Sequence, residues 1–325
     1  MSAVPASRYI FGILPWYSVL IVLGALVAVV LASREEKNVG LKKDTVLDLA
    51  LWVLPLGIVG ARIYYVAFAW HEFRDDPVSV LRIWEGGIAI YGAVLAGLAT
   101  VLVFARVRKI SPLLLCDIVV PGVILAQAIG RWGNYFNMEA YGAAITDPAL
   151  QFFPLAVRIP ADSATPWHMA TFFYESCWNL LVFVFLMAAR RRYFRKRGDV
   201  LFFYAFLYAC GRLVIEDFRT DSLYAASSVR ISQLLSVLIC IGLLVYYFRL
   251  YGRRSRIGSA FFLLSLAFAV PVLGYCLDIA VHPSEMRLLH HLCLLGAYSL
   301  VNMAALFLLY GKTSRGEVIY ALHKD

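Results

Sequence analysis

An arginine, two asparagines and a glutamate stand together where an apolar segment ends. The stretch 126–142 reads AQAIGRWGNYFNMEAYG and follows the apolar run PLLLCDIVVPGVIL. Arg131 and Asn134 are three residues apart, so they share one face of a helix, and Asn137 and Glu139 follow shortly after. Such a group is suited to binding an anion. The simpler interpretation is a helix end with a snorkelling arginine and an asparagine cap.

A second set of polar residues lies in the segment LFFYAFLYACGRLVIEDFR. Tyr208, Arg212 and Glu216 recur at four-residue steps, and Arg219 follows three residues later. This spacing places them on one stripe of a helix. The stripe is either a structural ion pair with a snorkelling Arg219 or the wall of a polar cavity. The free-energy cost of retaining buried charges favours the cavity.

Two guanidinium groups on separate helices can hold one anion between them. Guanidiniums are planar and permanently charged, and they bind phosphate through paired hydrogen bonds. In a membrane the available phosphate belongs to a lipid headgroup. We therefore predict that Arg131 and Arg212 converge on a lipid phosphate near the outer surface.

The elements that position these residues are predicted to be membrane-spanning helices. The chain has 325 residues, of which 62% are hydrophobic and 16% charged, whereas soluble proteins carry about 25% charged residues. Nine segments are long and apolar enough to cross the ~30 Å hydrocarbon core: 14–32, 46–69, 88–105, 112–130, 170–189, 200–217, 231–247, 258–277 and 289–310. A strand-like period of two is absent, so the predicted fold is an all-α, polytopic integral membrane protein.

Basic residues are concentrated in alternate loops. Twenty of the thirty Lys and Arg side chains follow the first, third, fifth, seventh and ninth segments. By the positive-inside rule these loops face the cytoplasm, which places the N-terminus outside and the C-terminus inside. The net charge of +9 is thus explained by membrane topology, and we expect no nucleic-acid partner.

One outer loop, residues 135–168, is longer than the others, and a loop of that length is more often functional than idle. It leads into WHMATFFYES, where His168, Tyr174 and Glu175 form a third polar group. The six cysteines lie in predicted spans without a CxxC pair, so the sequence predicts neither disulfides nor a metal site.

The composition changes at residues 249–257, and two further spans with uncharged interiors follow. We expect a core of residues 1–248 and a C-terminal extension of residues 249–325 that adds two spans and a cytoplasmic tail. The sequence suggests no role for this extension beyond that of an appendage.

Four segments in order resemble the prolipoprotein diacylglyceryl transferases of bacterial inner membranes. They are GARIYY, WEGGIAIYGAVLAG, GRWGNYFNMEAYG and YACGRLVIEDFR, with ATFFYESCWN before the last. The resemblance implies a seven-span core, to which the two C-terminal spans are additional. It also implies the reaction: the diacylglyceryl group of phosphatidylglycerol moves to the lipobox cysteine thiol of a preprolipoprotein signal peptide. A thioether forms, glycerol phosphate leaves, and no cofactor is needed.

The resemblance further implies roles for individual residues. Arg131 and Arg212 hold the phosphate, and Tyr208 and Glu216 orient Arg212. The positions that shape the headgroup pocket and its cavity are Asn134, Glu139, Gly142, Arg62 and the first-span tyrosine Tyr17.

Tyr91 stands where some family members carry a histidine, which is their favoured candidate base. An unperturbed tyrosine has a pKa of about 10 and is a poor base at neutral pH. Either the arginines lower the pKa of Tyr91, or Tyr91 only donates a hydrogen bond while another group accepts the proton. We count Arg131, Arg212, Glu216 and Tyr91 as candidate catalytic residues.

Two other functions also place charges inside a membrane protein. One is a polytopic transporter, and the other is a different lipid-headgroup transferase with the same phosphate site. Many transporters show repeated halves or paired broken helices, and this sequence shows neither. The transferase interpretation is therefore favoured.

Overall fold

The computed structural model describes residues 7–159, 166–220, 224–225, 229–278 and 285–311. The helices in these ranges are α1 (Trp16–Glu36), α2 (Thr45–Phe68), α3 (Ile90–Arg108), α4 (Pro112–Asn137), α5 (Thr171–Ala189), α6 (Asp199–Phe218), α7 (Ile231–Tyr251), α8 (Arg256–Asp278) and α9 (Glu285–Gly311). Three short antiparallel strand pairs accompany them: β1 (Tyr9–Ile10) with β2 (Leu14–Pro15), β3 (Ala156–Arg158) with β4 (Trp167–Met169), and β5 (Tyr224–Ala225) with β6 (Val229–Arg230).

The helices confirm the prediction of an all-α polytopic membrane protein. Among the described residues, eight helices are long and apolar enough to cross a membrane, and α6 is the long helix outside this group. The composition of α6 is too charged because it carries Asp199, Arg212, Glu216 and Asp217. Nevertheless α6 packs against α4, α5, α7 and α9. The division into seven core spans and two additional ones stays an expectation.

Helix α4 continues seven residues beyond the predicted end of its span at residue 130. It begins with Pro112 in the first turn, a position that needs no backbone N–H donor. It ends at Asn137, where Met138 adopts a left-handed conformation with φ +53°. The last two turns therefore hold Arg131 and Asn134 on a rigid helix instead of a loop.

Small residues allow α1 to lie directly against α4. A Cβ atom on Gly122 would lie 2.6 Å from the Cα atom of Ala28, and one on Gly24 would lie 3.1 Å from the Cα atom of Ala126. Close approach at small residues is a common way for helices to associate in membranes. The contact fixes the beginning of α1 beside the end of α4.

Backbone hydrogen bonds tie together one end of the bundle. The amide of Gly142 donates to the carbonyl of Met169 at 2.9 Å, and the amide of Ala143 donates to the carbonyl of Phe218 at 3.1 Å. The chain that leaves α4 thus runs between β4 and the end of α6. We call this region, where α4 and α6 end and α5 begins, the site end of the bundle.

The two C-terminal helices share a core with the rest of the protein. Leu213 of α6 and Val237 of α7 are buried in one cluster with Val272 of α8 and Tyr298 of α9. A second buried cluster contains residues of α4, α5, α6 and α7 together with residues of both α8 and α9. The helix pair is therefore packed into the bundle. The domain boundary after residue 248 stays a proposal, and the predicted cytoplasmic tail, residues 312–325, lies outside the described residues.

Candidate active site

Three arginines meet at Glu175 at the site end of the bundle. Arg131 Nη2 lies 2.5 Å from Glu175 Oε1, and Arg212 Nη1 lies 3.1 Å from Glu175 Oε2. Arg219 Nη1 approaches the same Oε2 atom at 4.0 Å. On the other side of Arg212, Nη2 lies 2.5 Å from Glu216 Oε2. These five residues, from α4, α5, α6 and the residue after α6, form what we call the arginine cluster.

The carboxylates of the cluster are buried, whereas the guanidiniums are partly open. The side chains of Glu175 and Glu216 are 4% and 2% exposed, and those of Arg131 and Arg212 are 23% and 16% exposed. Three guanidiniums and two carboxylates leave one net positive charge. A guanidinium has five N–H donors, and two partly exposed ones on a shared carboxylate form a preorganised site for an anion.

Side-chain hydrogen bonds align α4 with α5 next to the cluster. Trp132 Nε1 donates to Ser176 Oγ at 3.2 Å, and Ser176 Oγ donates to the carbonyl of Ala128 at 2.8 Å. Trp132 and Ser176 directly follow Arg131 and Glu175 in the chain. These bonds therefore set the register in which arginine and glutamate meet.

A tryptophan aligns α5 with α6 in a similar way. Trp178 Nε1 donates to the carbonyl of Leu207 at 2.9 Å, and its ring lies over Gly211. A Cβ atom on Gly211 would lie 2.7 Å from Trp178 Cε2. Glycine is required there because any side chain would displace the indole.

The amides at the end of α4 extend the cluster toward the surface. Arg131 Nη1 donates to Asn134 Oδ1 at 3.5 Å, and Asn134 Nδ2 donates to Glu139 Oε1 at 3.0 Å. Asn137 Nδ2 donates to the same Glu139 oxygen at 3.2 Å. The structure thus places Arg131, Asn134 and Glu139 in one network, as three of the predicted site residues.

Two predicted tyrosines lie beside Arg131. The ring of Tyr17 packs on Gly133 of α4, within electrostatic range of Arg131 and Glu139. The hydroxyl of Tyr208 lies within electrostatic range of both Arg131 and Arg212. The role of Tyr208 in orienting Arg212 stays a prediction, and the side chains of Glu175 and Glu216 also hold Arg212.

Gly142 acts through its backbone. Its amide bonds the carbonyl of Met169, and His168 Nδ1 lies 3.0 Å from its carbonyl oxygen. A Cβ atom at Gly142 would lie 2.7 Å from the carbonyl oxygen of Phe218 and 2.8 Å from Thr171 Cγ2. Three chain segments thus meet at Gly142, and the absence of a side chain there allows them to pack closely together.

Arg62 lies apart from the arginine cluster. Its guanidinium donates to five backbone carbonyls between α2 and α3, at distances of 2.7–3.5 Å: those of Ser79, Val80, Arg82, Gly86 and Gly87. The guanidinium also lies 4.9 Å from the centroid of the Phe73 ring. Since a guanidinium has five N–H donors, these carbonyls use the hydrogen-bonding capacity of Arg62 within this segment. The predicted role of Arg62 in supporting the lipid-binding cavity stays a prediction.

Arg62→Lys is expected to loosen the segment between α2 and α3. A lysine carries three donors on one nitrogen and cannot reproduce the planar fork. Hydrogen–deuterium exchange of residues 79–87 should become faster. Arg82→Lys is the matched control, because the side chain of Arg82 is 40% exposed and pairs with Asp76 at the surface. Equal exchange in Arg62→Lys and wild type would contradict this assignment.

Tyr91 lies in the first turn of α3. Its ring lies 6.4 Å from that of Tyr64 across the α2–α3 interface. Within the described residues, no hydrogen bond or ring contact joins Tyr91 to Arg131, Arg212 or Glu175. The role of Tyr91 as the candidate base stays a prediction.

A cavity of about 370 Å³ opens next to the Glu139 side of the network. Its walls come from the β1–β2 hairpin and the residues that end α4: Arg8, Tyr9, Pro15, Asn137, Met138 and Glu139. Because Glu139 also bonds Asn134, this cavity adjoins the amide network that leads to Arg131.

Sequence reasoning missed two members of the cluster. Glu175 was noted only as a polar residue near His168, and Arg219 only as a snorkelling arginine. A buried carboxylate in the apolar segment ATFFYESCWN was a usable signal, since such a charge requires a cationic partner. Arg219 continues the stripe of Arg212 and Glu216, so its position on that helix face could also be predicted from the sequence.

Comparison with known proteins gives a consistent result. Residues 9–249 match the family of prolipoprotein diacylglyceryl transferases. A phosphatidylglycerol–prolipoprotein diacylglyceryl transferase of Streptococcus agalactiae serotype Ia is 46% identical over 243 residues, which cover 74% of this chain and 92% of the relative. Proteins of the same name are 46% identical in Enterococcus faecalis, over 73% of this chain and 86% of the relative, and 48% identical in Streptococcus mutans serotype c, over 70% and 86%. With a match over this length and relatives of this similarity, the chain belongs to the prolipoprotein diacylglyceryl transferase family.

Proposed function

We propose that this chain catalyses the first step of bacterial lipoprotein maturation. The diacylglyceryl group of phosphatidylglycerol moves to the thiol of the lipobox cysteine in a preprolipoprotein. The names of the relatives supply the two substrate classes, and the arginine cluster supplies a site for the phosphate. The observation that carries the proposal is that Arg131 and Arg212 share the buried carboxylate of Glu175.

The reaction forms one bond and breaks one bond. The cysteine thiolate attacks the glyceryl carbon that bears the phosphate ester, so that a C–S bond forms as the C–O bond breaks. The electron pair of the C–O bond leaves with glycerol phosphate. Arg131 and Arg212 stabilise the negative charge that develops on the leaving oxygen, in a site with little water to compete. The thiol, with a pKa of about 8.5 in a free cysteine, first transfers its proton to a base.

Tyr91→Phe is expected to retain transfer within about threefold of wild type, whereas loss of a general base lowers the rate about 10²- to 10⁴-fold. The reason is the position of the Tyr91 ring against Tyr64 at the interface of α2 and α3. Initial rates of peptide modification measure the effect. A hundredfold loss in a variant that melts like wild type would restore the Tyr91 hydroxyl as the base.

A direct assay tests the proposed function. Purified protein is mixed with phosphatidylglycerol and a lipobox peptide, and the peptide mass is measured. A gain equal to one diacylglyceryl group supports the proposal, and a peptide with Ser in place of the lipobox cysteine should gain nothing. No gain with a peptide and lipid that an established transferase accepts would overturn it. Ion or solute flux in reconstituted vesicles would then indicate a transporter, and modification of another acceptor a different headgroup transferase.

The chain is a multi-pass membrane protein of the bacterial inner membrane. We place its N-terminus outside and its C-terminus in the cytoplasm, because the basic loops alternate with less basic ones. In this orientation the site end faces outward, where it meets membrane lipids and exported signal peptides. Labelling of a Glu85→Cys variant by an impermeant reagent on intact spheroplasts tests the orientation.

We also keep the division into a transferase core of residues 1–248 and a C-terminal extension of residues 249–325. It is supported by the family match, which ends at residue 249.

A further inference from the structure

The two C-terminal helices each hold one end of α6 by a tyrosine–aspartate hydrogen bond. At the site end, Tyr275 of α8 donates to Asp217 Oδ1 at 2.5 Å. At the opposite end, Tyr310 of α9 donates to Asp199 Oδ2 at 2.6 Å. Asp217 and Asp199 are 6% and 1% exposed. Helix α6 carries Arg212 and Glu216. It is therefore held at both ends by tyrosines that lie outside the segment matching the family.

At the site end, Asp217 is linked to the arginine cluster because Arg230 contacts both Asp217 and its neighbour Glu216. Arg230 Nη1 donates to Asp217 Oδ1 at 2.8 Å and to the carbonyl oxygen of Glu216 at 3.1 Å. The carboxylate of Glu216 in turn holds Arg212 at 2.5 Å. A change at Tyr275 thus reaches the last turn of α6 and the carboxylate that orients Arg212.

Packing joins the extension to the same part of α6. Leu213, next to Arg212, is buried against Val272 and Cys276 of α8 and Tyr298 of α9. Ser299 Oγ of α9 donates to the carbonyl of Cys210 at 3.2 Å. Helix α9 therefore contacts the turn of α6 that carries Arg212, and both α8 and α9 share a buried cluster with that turn.

We propose that α8 and α9 are a positioning element for the helix that binds the lipid phosphate, with Tyr275 as the positioning residue for Arg212. This inference rests on the proposed function. It assigns the extension a part in the reaction, since Arg212 keeps its orientation only while Asp217 and Glu216 keep their hydrogen bonds. The hydrogen bonds of a buried polar network strengthen one another, so the loss of one hydroxyl weakens the others.

The two tyrosines make a matched pair of variants. Tyr275→Phe and Tyr310→Phe each remove one hydroxyl from a bond to a buried aspartate of α6, and neither changes the shape of the core. Their sites are 18 residues apart on α6, or roughly 27 Å at 1.5 Å per residue. A general loss of stability lowers the active fraction in both variants and leaves KM unchanged.

We expect Tyr275→Phe to raise the KM for phosphatidylglycerol about fivefold, the size typical of changes within a coupled network. The KM for the peptide should stay at the wild-type value. Tyr310→Phe should leave both KM values unchanged. An unchanged lipid KM in Tyr275→Phe, or an equal rise in both variants, would overturn the positioning role.

A second measurement does not depend on activity. Thermal unfolding midpoints are compared for Tyr275→Phe, Arg212→Gln and the double variant, and the same cycle is run with Tyr310→Phe. Distant, independent sites are additive and coupled ones are not. We expect non-additive shifts with Tyr275 and additive shifts with Tyr310. If wild type transfers nothing, the proposed function fails and this cycle alone decides the positioning role; additive shifts in both cycles would refute it.

Discussion

Arg212→Ala is expected to lower the rate of diacylglyceryl transfer by at least about a hundredfold, since removal of one preorganised oxyanion donor lowers kcat by about 10²–10³. The guanidinium of Arg212 lies between Glu175 and Glu216, so these two carboxylates fix its orientation at the proposed phosphate site. Arg131→Ala should have an effect of similar size, because Arg131 contacts the other oxygen of Glu175. Initial rates of peptide mass gain measure both effects.

Arg253→Ala is the matched control for these two variants. Arg253 is an exposed arginine in the connection between α7 and α8, and its removal should leave the rate unchanged. Arg212→Lys adds a further test, because lysine keeps the charge without the two-nitrogen fork and should remain strongly impaired. A wild-type rate in Arg131→Ala or Arg212→Ala would refute a phosphate site built from this pair.

Glu175→Gln is expected to have the largest effect on stability. The glutamine keeps the shape of the side chain but removes the charge that Arg131, Arg212 and Arg219 share. Breaking one side of a buried ion pair destabilises a protein by about 3–5 kcal/mol, and the partial exposure of the arginines places the expected loss toward the lower end. Thermal unfolding followed by tryptophan fluorescence should show a clearly lower midpoint.

Two further variants test whether the effect of Glu175→Gln on stability comes from the loss of its charge. Glu85→Gln makes the same chemical change at a carboxylate that is 55% exposed, and it should melt like wild type. Glu175→Gln combined with Arg131→Gln removes one of the repelling cations, so the double variant should be more stable than Glu175→Gln alone. A wild-type midpoint for Glu175→Gln would show that the arginines do not depend on this carboxylate.

The helices of this protein were largely predictable, because apolar length alone specifies a membrane span. Each of the nine predicted segments corresponds to a helix among the described residues. The error at the end of α4 arose because Arg131 and Asn134 interrupt the apolar run while the backbone stays helical. Polar groups continue a helix when neighbouring helices supply partners, and a search for apolar residues does not detect them.

The candidate site was predictable only where its residues repeat within one helix. The step of four between Arg212 and Glu216 is visible in the sequence, and the structure shows the ion pair. The contact between Arg212 and Glu175 spans 37 residues and depends on how α5 and α6 align, which the spacing does not encode. For the same reason the sequence did not reveal that Arg62 serves the α2–α3 segment or that Tyr91 lies beside Tyr64.

The charged character of α6 has a consequence for biogenesis. Helices α8 and α9 are translated well after α6, so Asp217 and Asp199 at first lack the hydroxyls of Tyr275 and Tyr310. Charges in a spanning helix oppose its insertion, and the helices made afterwards remove that opposition. We therefore expect α6 to reach its final position in the membrane only after α8 and α9 have been made.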